Sequence, residues 1–233
     1  RKMIDFTWTE EQQRLRELVR KFAQHEIAPV AAELDREQRF SQEIVDKFYG
    51  TGLLHSAVPE EYGGGGLSSL EGCIVAEELA AVCGGVASYL GGNNLGLTPL
   101  LIAGSPELKQ ELLSKHCAGP NLAAFCLTEV EAGSDVASMR ATAKRGGDEY
   151  VINGTKQFIT NGCGDITLVL TRTDPNSEGL EGLSLHLVPR FIDRGGQHVK
   201  NFEIGKPEHK MSLRGSPTLE QYFDHSVGYL VGE

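Results

Sequence analysis

The apolar residues of this chain change their spacing at Gly119-Pro120, and that change constrains the fold more than any other feature. Before it they recur every three or four positions, the period of an amphipathic helix. Thr9 and Gln12 fit a capping box, and Leu15, Leu18, Val19, Phe22 and Ile27 follow on one helical face. Pro29 is expected to kink or end that helix, and Ser41 to cap a short one carrying Ile44, Val45 and Phe48 until Gly50 and Gly52 interrupt. A third helix starts near Ser68, with Leu70, Ile74 and Leu79 on its apolar face and Glu77 and Glu78 partly off it, and Gly84-Gly85 are expected to close it. More helix follows. Ser105-Pro106-Glu107 then supplies a cap, a first-turn proline and a carboxylate at the positive helix end.

After Gly119-Pro120 short β-prone runs alternate with turn pairs: 122–127, 150–152, 155–160, 166–172, 183–188 and 219–223. Asn153-Gly154 lies between two of them and reads as a type I′ hairpin turn, since both residues tolerate positive φ. It opens a glycosylation sequon as well, which the hairpin reading outweighs. The expected fold class is therefore α+β, with an N-terminal all-helical domain over 1–120 and an antiparallel barrel- or sandwich-like β domain over 121–233. Helices followed by a separate block of strands do not supply βαβ units, so a Rossmann dinucleotide site is not expected. Gly162-Cys163-Gly164 agrees, because Thr167 stands where a third glycine would and a strand follows. Gly205-Lys206 lacks the earlier glycine of a phosphate loop.

Composition narrows the partners. With 22 basic and 32 acidic residues the net charge is −10, which argues against nucleic acid. No run approaches the roughly 18 apolar residues of a membrane helix, and Arg1–Phe6 lacks the apolar core of a signal peptide. A bacterial cytoplasmic or mitochondrial matrix protein that is not secreted is the expectation. The five cysteines have no C-x-x-C spacing and are expected to be buried, reduced thiols, and no histidine pattern suggests a metal.

Two strings carry chemistry. Phe125-Cys126-Leu127-Thr128-Glu129-Val130-Glu131-Ala132-Gly133-Ser134-Asp135 is a strand that runs into a small, polar turn. Such a turn exposes backbone donors, Gly133 permits close approach and Ser134 adds a hydroxyl, which suits a pyrophosphate or an amide-bearing ligand. An ordinary strand-ending turn fits as well. In the second string, Tyr150–Gly162, a hairpin whose returning strand ends in Phe-Ile-Thr, alternation puts Phe158 and Thr160 on one face, where a ring and a hydroxyl would suit a flat cofactor, or simply a core and its rim.

Together the strings resemble the acyl-CoA dehydrogenase family, whose flavin-binding domain carries a Leu-Thr-Glu-x-x-Ala-Gly-Ser-Asp turn and a Trp-Ile-Thr strand end. Val58–Gly64 and Lys210–Thr218 are similar to further family segments, so the likeness spans essentially the whole chain. It implies that FAD is the cofactor, with Phe125, Leu127 and Thr128 at the flavin ring. It places Gly133 and Ser134 at the pyrophosphate and the acyl-CoA side, and has Phe158, Ile159 and Thr160 wall the isoalloxazine. Thr160 would be nearest the hydride-accepting N5. The sequence departs from the family pattern where Val130-Glu131 replaces Pro-Gly and where Phe158 replaces Trp.

The implied activity is α,β-dehydrogenation of an acyl-CoA to the trans-2-enoyl-CoA, with an electron-transferring flavoprotein as acceptor and a homo-oligomeric complete enzyme. The family's base sits on a C-terminal helical bundle that this sequence does not include. No catalytic residue is assigned, the isolated chain is expected to be inactive, and Glu129, Glu131 and Asp135 are expected to be structural or solvent carboxylates. A flavin oxidase or monooxygenase of the same fold, or a non-catalytic acyl-CoA- or FAD-binding module, would share these strings.

Overall fold

A computed structural model describes residues 7–177 and 179–232, so the Arg1–Phe6 string and Glu233 lie outside it. The front is helical as the spacing requires: α1 (Glu10–Phe22), α2 (Ala28–Glu37), α3 (Gln42–Tyr49), α4 (Ser69–Ala80), α5 (Gly84–Ala103) and α6 (Pro106–Cys117). Local chemistry sets their starts. Thr9 with Gln12 and Ser68 with Glu71 form reciprocal capping boxes, and the Ser41 and Ser105 hydroxyls each accept an N-terminal amide.

Pro29 does not break the first helix. A π-helical turn, Ala23–Ile27, links α1 to α2 and leaves Pro29 in the first turn of α2, where its missing N–H costs nothing. Gly84 and Gly85 do not close α4, which ends at Ala80; they open α5. The reason is close approach: a Cβ on Gly84 would stand 2.7 Å from Leu213 Cδ2.

The back half holds β1 (Ala123–Cys126), β2 (Thr142–Gly146), β3 (Glu149–Thr160), β4 (Ile166–Arg172), β5 (Leu183–Pro189), β6 (Phe191–Arg194), β7 (Gln197–Lys200), β8 (Glu203–Ile204) and β9 (Thr218–Leu230). Its main sheet runs β1-β4-β2-β3-β9-β5, with β8 on β9 and β5 also on β4; β6 and β7 form a separate ribbon. The sheet is mixed, which corrects the antiparallel expectation. β1 lies parallel to β4, because the chain reaches β4 only after the β2–β3 excursion rather than by a tight hairpin. The arrangement is sandwich-like rather than a true barrel, since a single pair, Thr142↔Arg172, joins β2 to β4 and only His186↔Leu230 and Leu187↔Tyr229 join β5 to β9.

Asn153-Gly154 is not a turn. The hairpin reverses at Gly147-Asp148, where Gly147 has φ +75°, and β3 continues through Gly154. The irregularity there lies in β9, which gains a residue at His225 (φ +51°), and Asn153 Oδ1 accepts the His225 amide at 2.9 Å. A Cβ on Gly154 would sit 2.6 Å from that of Ala141, so this glycine serves a strand contact. A second bulge follows. Three steps along β3, Lys156 to Ile159, match two along β9, Gln221 to Leu219, and the extra residue is Phe158 at φ +61°.

One apolar cluster joins the halves, packing Leu97 and Leu100 of α5 and Leu113 of α6 against Ala123, Leu168 and Leu187 of the sheet. α5 buries one face, with Val86, Tyr89, Leu90, Leu97 and Leu100, while Leu95 and Ile102 on the opposite side are exposed. Its Gly96 meets β1 so closely that a Cβ would fall 2.6 Å from the Ala123 carbonyl carbon. Asn93 adds polar links, donating to Leu54 O at 3.0 Å and accepting the Ala123 amide at 2.8 Å. The cysteines are free, but only Cys117 and Cys126 are buried; Cys73 is exposed on α4, contrary to expectation. No helix among the described residues is long and apolar enough to cross a membrane.

Candidate functional site

β1 ends at Cys126 and the chain leaves the sheet as the turn that carries Leu127, Thr128, Gly133 and Ser134. Phe125, Leu127 and Thr128 are half-buried, and Gly133 and Ser134 are exposed. β3 holds the turn in place through the Gln157 amide, which donates to Thr128 O at 2.9 Å. Glu129 and Ala132 exchange backbone hydrogen bonds of 2.9 and 3.3 Å, which close the turn despite Val130-Glu131 in place of Pro-Gly. Val130 points to solvent, and Glu131 pairs with Arg140 at 2.6 Å. A Cβ on Gly133 would meet nothing within 4 Å, so intramolecular packing does not require glycine there.

Phe158, Ile159 and Thr160 differ in placement. Phe158 is 57% exposed, while Ile159 is 2% exposed and packs in the β core. Thr160 is half-buried beside α5, its Cγ2 lying 3.1 Å from where a Cβ on Gly92 would be. A bulky aromatic residue in the left-handed region costs on the order of 1–3 kcal/mol, and such outliers cluster at functional sites.

Beneath the turn is a feature that sequence reasoning did not single out. Lys156 is fully buried, and its Nζ donates to Glu129 Oε1 at 2.8 Å and Leu127 O at 2.9 Å. Glu129 also accepts the backbone amides of Arg140 at 2.7 Å and Ala141 at 3.0 Å, tying the far end of the loop to its start. Burial lowers the Lys156 pKa from the usual lysine range, and hydrogen bonding and charge from Glu129 oppose that. Strict alternation would put Lys156 on the same face as Phe158. The bulge breaks that parity, so no local signal marks Lys156 as buried.

The carboxylates near the turn are engaged, Glu129 with Lys156, Glu131 with Arg140 and Asp135 with the Ser138 hydroxyl. Both Glu129 oxygens have partners within the fold. The Thr128 N–H has no partner among the described residues. An exposed ring, a free peptide donor, a half-buried hydroxyl and an open glycine turn suit a flat aromatic group carrying hydrogen-bonding edges and a phosphate tail, which fits a flavin nucleotide.

Family models decide the relationship: acyl-CoA dehydrogenase, N-terminal domain, matches residues 9–120, and acyl-CoA dehydrogenase, middle domain, matches 124–226. The chain belongs to the acyl-CoA dehydrogenase family. A probable acyl-CoA dehydrogenase, fadE25, of Mycobacterium leprae is 42% identical over 221 residues, covering 94% of this chain and 54% of the relative. Among solved structures, butyryl-CoA dehydrogenase from Megasphaera elsdenii superposes with TM-score 0.88 at 31% identity, over 99% of this chain and 60% of that one. An acyl-CoA dehydrogenase from Bacillus anthracis complexed with FAD gives 0.84 at 26% identity, over 99% and 39%. The chain spans about half the length of the curated relatives it matches. As a member of the acyl-CoA dehydrogenase family it has helices followed by a sandwich-like β domain.

Proposed function

We propose that this chain forms the flavin- and substrate-facing part of an acyl-CoA dehydrogenase, with a domain boundary near residue 120. In this reading Phe125, Leu127 and Thr128 bind the flavin ring of FAD. Gly133 and Ser134 face the pyrophosphate and the acyl-CoA side, and Phe158, Ile159 and Thr160 wall the ring. Bound FAD would supply the hydride acceptor for α,β-dehydrogenation to the trans-2-enoyl-CoA. The residues of the chain orient that acceptor and exclude water from one of its faces. Peptide donors aimed where negative charge develops stabilise it without reorganising.

The turn carboxylates are already paired, so the general base, which must come within about 3 Å of the α-proton, is taken to be supplied from outside 7–232. An electron-transferring flavoprotein as acceptor, a homo-oligomeric complete enzyme, and a bacterial cytoplasmic or mitochondrial matrix setting complete the proposal.

The observation that carries it is the exposed, left-handed Phe158 set at the strand end beside the open Thr128 turn. Titration with FAD, followed by flavin absorbance and fluorescence, is expected to show binding that weakens at least tenfold in Phe158→Ala and Thr160→Ala. Equal affinity in the folded variants would displace the site. Acyl-CoA turnover with a dye acceptor is expected to be negligible for the chain alone, and brisk turnover would refute the external base.

A further inference from the structure

We infer that Lys156, acting through the Leu127–Thr128 peptide, sets how readily the flavin of the proposed site accepts electrons. It is a positioning and tuning residue rather than only a charge that holds the turn. The inference rests on the FAD reading above and adds a specific electrostatic role for a residue that does not touch the ligand surface.

The geometry is direct. Leu127 C=O and Thr128 N–H belong to one planar, conjugated peptide unit. The Lys156 ammonium donates to the oxygen of that unit at 2.9 Å, drawing electron density from the nitrogen and making the N–H a stronger donor. That N–H has no partner among the described residues, and Thr128 is half-exposed at the proposed ring site. Lys156 therefore polarises an open donor of the turn while itself staying out of contact with water.

Water does not dilute the effect, and Glu129 offsets only part of it. Lys156 is 0% exposed, so bulk water does not screen its field. Its counter-charge, Glu129, lies on the side where the Arg140 and Ala141 amides converge, and those two amides stabilise the carboxylate independently of the lysine. The other ionisable group close by, Cys126, has its thiol pKa pushed up to about 12 by burial, so it carries no charge at neutral pH.

Holding the turn does not by itself call for a charge here. Apolar pairs of similar volume often replace buried ion pairs without loss of stability. Reduction adds electrons to the flavin, and a strengthened donor favours the more negative state, as hydrogen bonds to the ring and charges near it generally tune flavin electronics.

The test uses the FAD-loaded holoenzyme and reads the reduction potential together with the affinities for oxidised and reduced FAD. Lys156→Met/Glu129→Gln removes both charges with little change of volume. It is expected to lower the ratio of reduced to oxidised affinity by about tenfold, which for a two-electron couple is a fall of about 30 mV. Glu129→Gln alone leaves the cation uncompensated and is expected to shift the potential in the opposite direction. If the double variant does not fold, the sign of that single shift decides the matter. A purely structural pair would weaken both oxidation states equally and leave the potential unmoved, which would overturn the inference. Failure of the two readings is distinguishable. If Phe158→Ala and Thr160→Ala leave FAD affinity unchanged, the site is misplaced and the tuning role falls with it. If they weaken binding while the potential ignores Lys156 and Glu129, only the tuning role fails.

Discussion

The helical half and the β half each bury a carboxylate, and they neutralise it in opposite ways. Glu78 of α4, expected partly off the apolar face, is 4% exposed and lies against α1, where Arg16 Nε reaches it at 2.6 Å and Arg20 Nε and Nη2 at 2.8 Å. Both arginines are themselves partly exposed, so Glu78 lies at shallow depth beneath guanidinium groups that reach water. Glu129 is paired instead with a lysine that has no exposure at all and with two backbone amides. The helical pair fastens two helices with long side chains that can relax. The β pair defines the path of a loop, and neither charge has an alternative partner in water.

Cutting the dry pair should therefore cost most. Lys156→Met leaves Glu129 buried without its counter-charge and is expected to remove about 3–5 kcal/mol of stability in urea unfolding. Adding Glu129→Gln, which keeps an acceptor for the Arg140 and Ala141 amides, should recover most of it, and a double variant as unstable as the single would show that the pair is not what the turn depends on. Glu78→Gln should cost less, about 1.5 kcal/mol, since both arginines can turn to solvent.

Acid and base should then separate the two regions. Hydrogen bonding from Arg20, opposed by burial and reinforced by Arg16, lowers the Glu78 pKa. Its stabilisation is thus complete above the ordinary carboxylate range and is lost as pH falls through the folded value. Lys156 has the same sign in a far more alkaline window. Its folded pKa is depressed, so the unfolded chain binds the proton better and stability rises with pH up to the ordinary lysine value of about 10.4. Glu78→Gln is expected to flatten the acid limb of stability against pH, and Lys156→Met the alkaline limb.

A background contribution comes from His116, which burial beside His55 holds down to about 3. The unfolded chain binds that proton more readily below about pH 6.5, so His116→Phe should also soften the acid limb. The smallest effect expected is that of salt. Raising ionic strength should erode the Glu78 contribution by a few tenths of a kcal/mol and leave that of Glu129 unchanged; an equal response from both would erase the distinction between wet and dry pairs.

Much of the helical half is legible because its signals are local. Thr9, Ser41 and Ser105 act within one turn of themselves, and each caps the helix expected of it. Gly84-Gly85 misleads because the loop that needs those glycines lies more than a hundred residues further along the chain. In the β half, Ile166–Arg172 is a strand with the expected limits, whereas Asn153-Gly154 misreads as a turn because a bulge in distant β9 settles its geometry. The site divides likewise. Its exposed residues stand in two contiguous strings that can be matched to a family, while Lys156 and Glu129 meet across 27 residues of sequence and become a pair only after β3 folds back beside the turn.

The bulge at Phe158 gives β3 the character of a frame-shifted message. Lys156 and Ile159, three apart, share the inner face, and everything beyond Phe158 is read in a different phase from everything before it. The strand can thus present a ring and a hydroxyl to one side without surrendering either the buried ammonium or the core isoleucine on the other. Loss of one residue between Lys156 and Ile159 would bring β3 back into step with β9, leaving both of those side chains inside and removing the displaced, exposed ring instead.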